Sequence, residues 1–153
     1  MSIHLPFRSR IGRLLFVVAT FLLQQCTSIR LIQEYDEITD QRVTALQEKV
    51  ASFFVKMDRA IGTPDTAYEK SIPFYDDVKT DLNVLMVRAK ATPKSQVMQD
   101  ALASMTSSFT NLEKYHRTQG FANREELVPL KNAFDSQFAA LIQFNTALKN
   151  RVK

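Results

Sequence analysis

Glu113 and His116 stand three positions apart, the Glu-x-x-His spacing that sets two metal ligands on one face of a helix. A dinuclear site built that way needs the motif twice, with two further carboxylates. His116 is the only histidine apart from the N-terminal His4, which excludes such a site. The simpler expectation is a polar residue near a helix C-terminus, where it complements the helix dipole. Met57 and His116 form a second pair, because methionine and histidine can hold a haem iron from its two faces. They fall on helices expected to be diagonal in a bundle, and no Cys-x-x-Cys-His is present for covalent haem. Met57 reads instead as flexible core filling. Two acidic clusters, Asp36-Glu37 with Asp40 and Asp76-Asp77 with Asp81, have the residue types for an acid–base pair or a hard-cation site. Neither carries the glycine-containing calcium loop, and both alternate with apolar positions as solvated helix faces do. There is no Gly-x-Ser-x-Gly, phosphate-binding loop, His-Glu-x-x-His or cysteine-rich metal spacing. No catalytic residue, metal ligand or cofactor is expected, and the chain reads as a non-enzyme.

The remaining reactive group is Cys26, the only cysteine. It follows a basic stretch, Arg8, Arg10 and Arg13, and an apolar run over residues 14–23 broken only by Thr20. That run is short for a membrane crossing, which needs about 17 to 25 residues. A basic segment followed by a short apolar one is the pattern of an export signal, here expected over residues 1–25. An exported chain with one cysteine has no intramolecular disulfide to make. The segment Leu23-Gln24-Gln25-Cys26 resembles a bacterial lipoprotein processing site. Leu23 matches the aliphatic residue three positions before the cysteine, while Gln25 stands where a small residue is usual. The resemblance implies cleavage before Cys26, with lipid on its sulfur and amine and residues 26–29 as a tether. Thr27 in place of Asp resembles outer-membrane rather than inner-membrane sorting, so the expected location is the bacterial envelope, facing the periplasm. Cleavage after Ser28, giving a soluble periplasmic protein, and an uncleaved anchor are the alternatives.

Residues 30–153 then read as one all-α domain, an up-down-up-down four-helix bundle. No sustained two-residue alternation occurs, whereas apolar residues recur every three or four positions. Leu31, Tyr35, Ile38, Leu46, Val50, Phe53, Met57 and Ile61 form the first stripe, stopped by Gly62-Thr63-Pro64. Tyr68, Ile72, Tyr75, Val78, Leu82, Leu85 and Ala89 form the second, with Pro73 expected to kink or restart the helix and Ser71 to cap the restart. Thr92-Pro93 is expected to open the third, whose stripe runs from Met98 through Leu102, Met105, Phe109 and Leu112 to His116. Asn123 with Glu126 fits a capping box for the fourth, which continues through Leu127, Leu130, Phe134, Phe138, Leu141 and Leu148. Helices of roughly 25 to 32 residues, about 40 to 48 Å long, with short connections favour antiparallel neighbours. The Tyr35-Asp36 to Leu46-Gln47 stretch resembles small bacterial helical lipoproteins. That resemblance implies an envelope location and carries no known activity.

The formal charge is +4, from 20 basic and 16 acidic residues. Loss of Arg8, Arg10 and Arg13 with the signal would lower it to +1, which removes a nucleic-acid reading. In an up-down bundle, Arg30, Arg88, Lys90, Lys94, Lys149, Arg151 and Lys153 gather at the tethered end, where the sequence sets only Glu34 against them. From Cys26 to the first helix is about 10 Å of extended chain, comparable to a Debye length. This end is therefore expected to face anionic lipid, where each basic residue contributes about 1 kcal/mol; the simpler reading is that these cations complement helix C-termini. The expected function is a lipid-anchored, non-enzymatic structural or interaction module, its partners the membrane through Cys26 and an envelope protein. The alternative is a ligand or cofactor carrier with an aromatic cavity among Phe53, Phe109, Phe134 and Phe138.

Overall fold

Asp36 starts the first helix. Its backbone is extended, and one side-chain oxygen accepts from the Ile38 amide at 3.1 Å while the other takes the Thr39 hydroxyl at 2.7 Å. A side chain that satisfies first-turn donors fixes where a helix begins. In the computed structural model, which describes residues 32–151, helix α1 accordingly spans Glu37–Ala60. It was expected to start near Leu31, which lies outside the described residues. Tyr35 precedes the helix and folds back on it, its hydroxyl donating to Asp40 Oδ2 at 2.9 Å.

Gly62 ends α1 in the left-handed region at φ +80°, as the sequence leads one to expect. Thr63 then caps a 3-10 turn at Pro64–Thr66, with proline in its first position. Helix α2 spans Tyr68–Ala91 and runs through Pro73 without a restart. Pro73 is the sixth helical residue, so its missing amide forfeits only a bond back to the first turn. Ser71 caps nothing and is buried in that turn.

Helix α3 spans Gln96–Gln119, starting later than the Thr92-Pro93 opening expected. Pro93 lies in the connection instead, where Lys94 takes φ 61° and reverses the chain. Ser95 explains the shift. Its hydroxyl donates to the Ala89 carbonyl and accepts from Gln99 Nε2 at 2.9 Å, tying the end of α2 to the first turn of α3. Gly120, at φ 72°, closes α3. Helix α4 spans Arg124–Asn150. The forward half of its capping box is formed as expected, Asn123 Oδ1 accepting from the Glu126 amide at 2.9 Å, but Glu126 reaches back to the amide of Ala122, one residue before the cap, at 3.4 Å.

The described residues are all-helical, with four helices packed as a bundle. Three helices have 24 residues, just under the expected range, and α4 has 27, within it, which makes them about 36 to 40 Å long. Each helix packs on its chain neighbours and α1 packs on α4, leaving α1/α3 and α2/α4 diagonal. The buried residues follow the expected stripes over Leu46 to Met57, Tyr75 to Ala89, Met98 to His116 and Leu127 to Leu148, but Ile38 and Ile72, expected inside, are 50% and 38% exposed, while Val43 and Phe54, outside the expected stripe, are buried. Truncating such a side chain to alanine costs about 2–5 kcal/mol. No helix among the described residues is long and apolar enough to cross a membrane.

Candidate functional site

At the end of the bundle holding the α1–α2 and α3–α4 connections, aromatic rings close around His116. The Phe53, Tyr68, Tyr75 and Phe121 rings all lie within 6.2 Å of the imidazole, centroid to centroid, and Phe121 is at 4.3 Å. Only 2% of His116 is exposed. Its Nε2 lies 2.7 Å from the Thr66 carbonyl oxygen and its Nδ1 lies 2.9 Å from the Tyr75 hydroxyl. A carbonyl only accepts, so the ring proton is on Nε2; Nδ1 then accepts from Tyr75. The neutral imidazole satisfies both partners at once. Burial pushes its pKa below the ordinary histidine value, against the opposing influence of the Thr66 bond and Glu69. The Tyr75 hydroxyl is driven upward, first by burial and then by the charge of Glu113. The helix-dipole role expected for His116 is therefore corrected: it is an uncharged clamp between α3, α2 and the 3-10 turn.

Glu113, one turn earlier, points elsewhere. Its Oε1 accepts from Tyr68 at 3.0 Å and from Lys79 at 2.8 Å, linking α3 to α2. Partial burial works against its ionisation, but the bonds from Lys79 and Tyr68 hold its pKa below the carboxylate range. Glu113 and His116 share a helix face, yet each is consumed by different partners. No group of three or more His, Cys, Asp or Glu among the described residues could hold a metal ion. Met57 is 6% exposed and packs in the core cluster, as expected for filling.

The acidic clusters read as solvated faces are partly structural. Asp36 caps α1 and also receives Arg88 Nη2 at 2.6 Å from the end of α2. Burial opposes its ionisation, but Thr39 and Arg88 hold its pKa below the ordinary aspartate value. Asp81 takes Lys49 of α1 at 2.6 Å. Of the four phenylalanines proposed to line a cavity, Phe109 and Phe134 pack with tilted rings 4.4 Å apart, centroid to centroid, and all four are at most 5% exposed. They fill the core.

The basic end assembles in part. Arg88 is bound to Asp36, and Lys149 sits over the Tyr35 ring at 5.5 Å. Lys90, Lys94 and Arg151 are exposed on the end of α2, the α2–α3 connection and the end of α4. Arg30, Lys153 and Cys26 lie outside the described residues. Because α1 begins only at Glu37, Asp36, Glu37 and Asp40 join Glu34 at this end. The expectation of a basic end opposed by Glu34 alone is corrected to one of mixed charge, five described cations beside four carboxylates.

Sequence reasoning missed Asn145, which lies in phase between Leu141 and Leu148 and is 2% exposed. Its Nδ2 has no hydrogen-bond partner. The position in the stripe was the available signal. No protein-family model, curated protein or solved structure matches the chain.

Proposed function

We propose that the chain is a lipid-anchored, periplasm-facing bundle of the bacterial envelope that acts as a non-enzymatic structural or interaction module. The observation that carries this reading is the order of basic stretch, short apolar run and lone Cys26 ahead of a bundle that starts ten residues later. The polar chemistry of the bundle supports it: His116, Glu113, Asp36 and Asp81 are engaged in joining helices rather than turned toward a shared reaction space. Lys90 and Arg151 are exposed at the end where α1 starts, where anionic headgroups would meet them. Intact mass of the protein extracted from membranes tests the anchor. The expected mass is that of a chain beginning at Cys26 plus acyl groups; an unmodified chain beginning after Ser28, or one retaining residues 1–25, overturns it.

A further inference from the structure

Ser71 is only 4% exposed in the first turn of α2, yet its hydroxyl makes no hydrogen bond among the described residues. A hydroxyl that far inside ordinarily has a partner. It lines a groove of about 480 Å³ at the α1–α2 connection, whose walls also include Lys56, Met57, Arg59, Asp65 and Lys70. Lys56 and Arg59 stand three positions apart, exposed on one face of α1, and neither forms an ion pair among the described residues. Lys70, on α2, is paired with Asp65, the only carboxylate on the wall. Three cations against one carboxylate leave the groove at +2. Arg59 complements the C-terminus of α1, which accounts for one cation of the three. Helix α2 begins beside the groove with no side chain capping it, so the free amides of its first turn add further donors.

We propose that this groove binds a phosphomonoester. Such a group carries about two negative charges at neutral pH and three oxygens that accept hydrogen bonds. Its charge balances that of the groove, and its oxygens accept from the Ser71 hydroxyl together with Lys56 and Arg59. A carboxylate would neutralise only half of the excess. The Lys70 ammonium has three protons to donate, so it can hold Asp65 and the ligand at once. The groove is far larger than a phosphate, which leaves room for the alcohol part of the ester. A second hollow, of about 360 Å³, shares Lys56, Lys70 and Ser71 and continues along α2 to Phe74, whose ring stacks on Phe53 at 3.9 Å. That apolar wall suits the carbon skeleton of the ester, whether a small alcohol or the glycerol of a phosphorylated lipid. Exposed cations are screened by salt, so the binding is weak and salt-dependent. The site lies at the end of the bundle away from the start of α1 and does not depend on an anchor at Cys26.

Isothermal titration calorimetry of the full chain at low salt, with glycerol 3-phosphate as the probe, tests this. The wild type is expected to bind it and not to bind glycerol. Lys56→Gln and Arg59→Gln, at exposed positions with no ion pair to lose, should each weaken binding roughly threefold to fivefold. Ser71→Ala gives up no hydrogen bond within the protein, so it should weaken binding about threefold while the urea midpoint stays unchanged. Arg42→Gln removes an exposed cation near the start of α1 and should leave the affinity as it is. A parallel titration with dihexanoyl phosphatidic acid separates the two sources of the ester. Tighter binding than glycerol 3-phosphate, lost in Arg59→Gln, assigns a lipid headgroup; equal or weaker binding assigns a soluble ester. A wild type that binds neither probe, a Ser71→Ala protein that binds as the wild type does, or a loss in Arg42→Gln equal to that in Lys56→Gln would each overturn the proposal.

Discussion

The Tyr75 hydroxyl donates to His116 Nδ1 at 2.9 Å across the α2–α3 contact, while Nε2 of the same ring holds the Thr66 carbonyl at 2.7 Å. One neutral imidazole thus joins two helices and the turn between α1 and α2. Removing either partner strands a buried polar atom, which is costlier than the bond itself is stabilising. Tyr75→Phe leaves the ring packing in place and Nδ1 without a donor. Its expected cost is about 1–3 kcal/mol in urea unfolding, with the helical circular dichroism of the folded state unchanged.

The same geometry sets a pH dependence. The folded pKa of His116 is depressed, so the unfolded chain binds the proton more readily. The stability it contributes is complete above the unfolded value near 6.5 and declines as pH falls from there through the lower folded value. The groups facing it include Glu69, Tyr75 and, one turn away, the Lys79-paired Glu113. Urea midpoints measured between pH 7.5 and 5 should fall with acid in the wild type. His116→Gln should flatten that part of the profile; an equal slope in both would remove His116 as its source.

Asn145 is expected to behave in the opposite sense. Its buried Nδ2 lacks an acceptor, so Asn145→Leu exchanges an unsatisfied donor for apolar packing beside Leu141 and Leu148. The gain should be about 1–2 kcal/mol, read as a higher denaturation midpoint. A loss of stability would show that the amide is satisfied in solution.

Asp36 does two things at once. It caps α1 and neutralises Arg88 at the end of α2, so Asp36→Ala should cost more than an ordinary cap, about 2 kcal/mol. Asp36→Ser keeps the cap and loses the ion pair, and should recover about half of that loss. Equal destabilisation by both substitutions would place the whole effect in the Arg88 contact.

The helices were legible because a buried face leaves a spacing of three or four in the chain, and because Gly62, Gly120 and Asn123 act locally. The same stripes correctly placed His116 and Met57 indoors. What a stripe does not carry is the group met across the core. Tyr75 and His116 are 41 residues apart and Arg88 and Asp36 are 52, and neither pairing has a spacing of its own. Helix starts were misjudged for a related reason. Asp36 and Ser95 override the apolar pattern by capturing backbone groups, and Asp36, one of three acids within five positions, reads as solvated surface until Arg88 is brought beside it. The basic end was overestimated because of that same misplaced helix start.

The anchor on Cys26 is the claim on which the proposed function stands. Metabolic labelling of a bacterium expressing the full chain with a radioactive fatty acid tests it most directly. Label should enter the wild-type protein and be absent from Cys26→Ala expressed at the same level. A wild type that takes up no label, or a Cys26→Ala protein that retains it, would contradict the lipid anchor.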